Sequence, residues 1–119
     1  MIKIFLFLLL LTACSDKTAG EISPAELKQG DLILDVRTAA EHDAASLAQE
    51  HWLVPLNQLD AAQFIREHKL DGTKPLYILC RSGKRAKTAA EKFKQAGFKN
   101  VVVIRGGIIA AQTEGIAVR

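Results

Sequence analysis

Three short apolar runs recur along the chain: Leu32-Ile33-Leu34, Leu76-Tyr77-Ile78-Leu79 and Val101-Val102-Val103-Ile104. Runs of this length, bounded by polar or turn residues, predict strands buried on both faces. Helical periodicity fills the gaps between them. Residues 85–96 place Ala86, Ala89, Ala90 and Phe93 on one face, and Gly97 supplies a natural C-cap. Residues 57–68 carry Leu59, Ala62, Phe64 and Ile65 at an approximate helical spacing, with Asn57 or Asp60 near the start. Residues 38–48 are rich in alanine and predict a helical turn. Ser23-Pro24-Ala25-Glu26 reads as a helix start, with Ser as cap and Pro at the first position, and that helix should stop near Gly30. Residues 52–56 predict one more strand, which Pro55 confines to a sheet edge or a turn. Apolar strands alternating with amphipathic helices predict an α/β domain with a small, mainly parallel sheet and helices on both faces.

The N-terminus breaks this pattern. Met1-Ile2-Lys3 is a short positive start, followed by an apolar run over residues 4–11. That run is too short to cross a bilayer, which takes about 20 apolar residues, but has the length of a signal-peptide core. Leu11-Thr12-Ala13-Cys14 then resembles the lipobox of bacterial lipoproteins, in which the cysteine thiol accepts a diacylglycerol. The chain therefore divides into a signal peptide over residues 1–13, a polar tether over 14–20 and a single domain over 21–119. Cys14 is the expected lipidation site. Several acyl chains anchor firmly, so a membrane location facing the periplasm is expected. Ser15, where sorting rules would read aspartate as a retention signal, favours the outer membrane.

Composition narrows the function classes. The formal net charge of +3 is too mild to imply nucleic-acid binding, and no stripe of aromatic and basic residues supports it. Two cysteines are present, and lipid claims one. Cys80 is then without a disulfide partner, and a lone thiol in an exported protein needs a chemical reason.

Cys80 sits where a parallel sheet binds its ligands, at the carboxyl end of a strand and directly before a helix. Its surroundings favour a thiolate in three ways. The helix start offers positive partial charge, and Gly83 lets the loop turn its N–H groups inward as an anion cradle. Arg81, Lys84, Arg85 and Lys87 are cationic, with no acid among residues 80–90. A purely structural cysteine has no use for this arrangement, so Cys80 is expected to be an exposed nucleophile. The three histidines, His42, His51 and His68, are scattered in sequence without ligand spacing, so no metal site is expected. Trp52 is assigned to core packing.

Cys80-Arg81-Ser82-Gly83-Lys84-Arg85 resembles the active-site loop of rhodanese-like domains. Leu34-Asp35-Val36-Arg37 with Glu41 resembles that family's other signature, and Val54-Pro55-Leu56 its "Ile-Pro-Leu" segment. Ile104-Arg105-Gly106-Gly107-Ile108, then Gly115-Ile116-Ala117-Val118, resembles its closing stretch. The likeness covers about residues 21–118 in the right order. Two departures stand out: residues 46–51 replace the family's "Gly-His-Ile-x-Gly-Ala", and Ala111 stands where a tryptophan usually follows the double glycine. They bear on substrate specificity more than on fold.

The resemblance implies a sulfurtransferase. Cys80 would take the outer sulfur of a thiosulfate-like anion as a persulfide and pass it to a thiol or cyanide. Arg81, Ser82, Gly83, Lys84 and Arg85 would hold the anion, and no cofactor is called for. Asp35 and Arg37 would support the loop or form a structural pair, the latter being favoured. Phosphatases sharing the fold place five residues between cysteine and arginine. Here four intervene, so the tighter loop suits a sulfur atom better than a phosphate. A monomer is expected. The competing reading is a persulfide carrier or docking module of the same fold.

Overall fold

The computed structural model describes residues 20–119. The proposed lipidation site, Cys14, and the signal segment lie outside the described residues. A five-stranded sheet runs in the order β1-β5-β4-β2-β3. Its strands are β1 (Gly20–Ile22), β2 (Leu32–Asp35), β3 (Trp52–Leu53), β4 (Leu76–Leu79) and β5 (Val101–Ile104), and every pairing is parallel. The α-helices are α1 (Ala39–Ala44), α2 (Ala61–Glu67), α3 (Lys84–Gln95) and α4 (Gly107–Thr113).

Strand alternation sorts the apolar runs onto two faces. Leu34, Leu76, Ile78, Val101 and Val103 face α3, whose Ala86, Ala89, Ala90 and Phe93 are all buried, with Phe64 of α2 beside them. The opposite face carries Ile33, Leu79 and Ile104 against Ile108 and Ala111 of α4 and Leu47. The sheet is thus covered on both sides, as its continuous apolar strands require.

Several local expectations change. Pro24–Glu26 form one 3-10 turn, capped by Ser23, rather than a helix reaching Gly30, because Leu27 already adopts an extended backbone at φ −64° and ψ 138°. In α2 the buried alanine is Ala61, not Ala62. Ala61, Phe64 and Ile65 follow the i, i+3, i+4 spacing of one helix face, which Ala62 does not share. Gly20, read as tether, pairs with Val102 in the edge strand β1. The chain's last residues also pair, antiparallel, with the segment after α1. Ser46 and Arg119 exchange both backbone hydrogen bonds at 2.8 Å, and Ala48 N–H donates to the Ala117 carbonyl at 3.0 Å.

Candidate active site

Cys80 follows β4 directly and ends its apolar run. Leu79 stands in register with Asp35 of β2, so the ends of the two central strands meet beside the sulfur. Gly83 then turns the chain at φ +108°, a left-handed conformation that favours glycine, and caps α3. That turn brings the Gly83 N–H back to the Cys80 Sγ at 2.9 Å. The first-turn amides of α3 follow at once. They lack intrahelical partners and carry the positive end of a 12-residue helix.

The thiol is not exposed as expected. Cys80 is 1% accessible, because the loop folds over its own sulfur and α4 closes from the other side. Ile108 N–H donates to the Cys80 carbonyl at 2.9 Å, and Ile109 N–H to the Arg81 carbonyl at 3.2 Å. Gly107 makes this approach possible. A Cβ there would meet the Cys80 carbonyl and lie 2.5 Å from the Arg81 carbonyl group, and its φ is +59°. Gly107 of the double glycine is therefore the buttress of the Cys80 loop.

Arg81, Ser82 and Lys84 are exposed around the turn into α3, whereas Arg85 is partly buried and ion-paired. Its Nη1 and Nη2 donate to Glu41 Oε1 and Oε2, both at 2.7 Å. Through this pair Arg85, expected from sequence to help hold the donor anion, also clasps α1 to the start of α3. The Arg85 guanidinium holds the Glu41 carboxyl down at about 2, from an ordinary 4.5, against an opposing push from burial. The same contact raises the Arg85 pKa further. No acid within residues 80–90 hinted at this partner, since it lies 44 positions away. A local signal did exist: Thr38-Ala39-Ala40-Glu41 has the capping-box pattern, and Thr38 and Glu41 bond reciprocally at the start of α1.

Asp35 and Arg37 are both buried and form a fork. Arg37 Nε lies 3.1 Å from each Asp35 oxygen and Nη2 lies 2.8 Å from Oδ2, while the Arg37 backbone N–H donates to Oδ1 at 2.9 Å. The guanidinium also donates to the Glu41 and Ala45 carbonyls at 3.2 and 2.7 Å. Its contacts tie the end of β2 to the end of α1, which steadies the helix that presents Glu41.

The histidines are less scattered than their spacing suggests. His42 of α1 and His51 before β3 meet with their Nε2 atoms 2.8 Å apart. His68 packs on Trp52 and Phe64, with ring centroids 4.6 and 4.3 Å away, and Trp52 joins the main core. Ala111, in the family's tryptophan position, is fully buried in the second core cluster. A cleft of about 640 Å³ opens between Gln29–Ile33 and Ala48–Trp52. It lies by the amino ends of β2 and β3, so its size says nothing about sulfur chemistry at the opposite strand ends.

Comparison with known proteins bears on this arrangement. A family model described as the rhodanese-like domain matches residues 23–114. An Allochromatium vinosum protein named sulfurtransferase is 31% identical over 87 residues, covering 73% of this chain and 77% of its own length. A Bacillus subtilis protein named as a sulfur carrier is 34% identical over 77 residues, or 64% of this chain, and the chain spans 38% of that relative's length. A solved rhodanese-related protein from Thermoplasma volcanium has a TM-score of 0.58 and 30% identity, over 74% of this chain and 82% of that one.

Proposed function

Because the chain belongs to the rhodanese-like domain family, we propose that it transfers sulfane sulfur through a persulfide on Cys80. The observation that carries this reading is the Cys80 sulfur itself. It is the free thiol at the end of a central strand, bonded to the Gly83 N–H at the mouth of α3. In the first step the Cys80 thiolate attacks the outer sulfur of thiosulfate. The new bond gives Cys80–S–S⁻, and the S–S bond of the donor breaks to release sulfite. In the second step cyanide or a thiolate attacks the outer persulfide sulfur. Thiocyanate or a new persulfide leaves, and the Cys80 thiolate returns. Both steps conserve charge and need no oxidant. Arg81 and Lys84 offset the donor's negative charge, and the Gly83 N–H and α3 dipole stabilise charge on sulfur. Arg85 positions the loop through Glu41.

A second reading, persulfide carriage to a protein acceptor with slow turnover, is favoured by the burial of Cys80 and by the carrier name of the Bacillus relative. Incubation with thiosulfate followed by intact-mass measurement tests the shared step. A gain of one sulfur atom, absent in Cys80→Ser, is expected; no adduct from any sulfane donor removes both readings. Thiocyanate production at steady state then separates enzyme from carrier. We further propose that the protein is lipid-anchored at Cys14 on the periplasmic side of a bacterial membrane, preferably the outer one. Cys14→Ser should move it from the membrane fraction to the soluble fraction, and retention in the membrane refutes the anchor.

A further inference from the structure

From the meeting of three side chains distant in sequence, we infer that His42, His51 and Asp35 form a site for a divalent cation that prefers imidazole, such as Zn²⁺. One ligand atom from each lies within 4.8 Å of the others. The two imidazoles approach through their Nε2 atoms, at 2.8 Å. His51 is already oriented as a ligand. Its Nδ1 sits 2.7 Å from the Gln49 carbonyl, which accepts only, so Nδ1 carries the hydrogen and the lone pair of the neutral ring is on Nε2.

In the metal-free pair, the hydrogen between the rings is then on His42 Nε2, donated to His51. Cation binding needs that hydrogen moved to His42 Nδ1, a tautomer change with no net proton release from two neutral rings. It also needs the nitrogens to part by about 0.5 Å, since two nitrogens at 2.0–2.1 Å from a tetrahedral ion lie about 3.3 Å apart. Both rings are only partly buried, so the shift is small and the ion has a path in. The Asp35 carboxylate is the third ligand. Arg37 meets it with three donors in four contacts, two on each oxygen, because Nε is shared between the two, so an ion bound there takes over part of that shared contact. Two nitrogens and one oxygen, with water completing the shell, suit Zn²⁺, Cu²⁺ or Ni²⁺ better than Mg²⁺ or Ca²⁺.

The site lies one strand from the reactive sulfur, since Asp35 pairs with Leu79, the residue before Cys80. It also bridges two segments, because His42 rides on α1 and His51 precedes the edge strand β3. An ion there pins α1, and with it Glu41, against the sheet.

Calorimetric titration with Zn²⁺ tests this in the full chain carrying Cys14→Ser and Cys80→Ser, which removes thiol competition. One Zn²⁺ per chain is expected. His42→Gln or His51→Gln should weaken binding at least about tenfold, while His68→Gln should leave it unchanged. In the same protein, without histidine substitution, Zn²⁺ should shift the ring NMR signals of His42 and His51 and spare those of His68. Absence of binding, or ring shifts elsewhere only, overturns the site and leaves the pair a hydrogen bond within the fold.

Discussion

At the scale of single residues, the Glu41–Arg85 pair decides how the Cys80 loop is held. Both side chains are about one-third exposed, 29% and 33%, so solvent screening limits what the pair is worth despite its fork geometry. Glu41→Gln should cost about 1 kcal/mol at neutral pH, read from urea midpoints. The sign of its pH dependence follows from the depressed carboxyl. The wild-type contribution is complete above the ordinary value of 4.5 and is lost as pH falls toward about 2. The gap between wild type and variant should therefore close across that window; a gap that persists at pH 2 would place the stabilisation elsewhere. Glu41 was visible in the sequence as part of a signature, yet its partner was not. Charge pairs across 44 residues leave no local pattern, whereas the four cations among residues 81–87 do.

Secondary elements were legible wherever periodicity was strong. The buried face of α3 is the one its alanines and Phe93 predict, and the three apolar runs are the three central strands. The edges were not legible. Gly20-Glu21-Ile22 is too short for alternation to show, and the pairing of residues 46–48 with 117–119 depends on where distant segments arrive. The start of α4 offers the sharpest test at this scale. Gly107→Ala puts a methyl group into the Cys80 and Arg81 carbonyls at a left-handed backbone position. It should cost about 3 kcal/mol in denaturant unfolding. Sulfur loading per folded molecule should fall too, because the same carbonyls anchor the loop. Undiminished loading would show that the loop does not need this buttress.

For the molecule as a whole, residues 117–119 pair with the segment that follows α1, outside the main sheet. Three backbone hydrogen bonds join residues 46 and 48 to residues 117 and 119, and Leu47, between them, is fully buried. Deleting residues 117–119 should cost about 3 kcal/mol, at about 1 kcal/mol per bond. Proteolysis of the truncated protein should begin near residues 45–50, and an unchanged unfolding midpoint would show the pairing to be dispensable. That pairing holds the segment that leads to His51 against residues 117–119, so His51→Gln and the truncation should couple in a double-mutant cycle.

The burial of Cys80 also sets a clock. A sulfur that is 1% accessible reacts with an alkylating reagent only when the loop opens. The ratio of its alkylation rate to that of a free cysteine is thus a protection factor, and its logarithm gives the free energy of opening. The same opening admits the sulfur donor. Transfer from a bulky donor should therefore slow in proportion to that protection factor, and variants that loosen the Glu41–Arg85 clasp should shift both rates together.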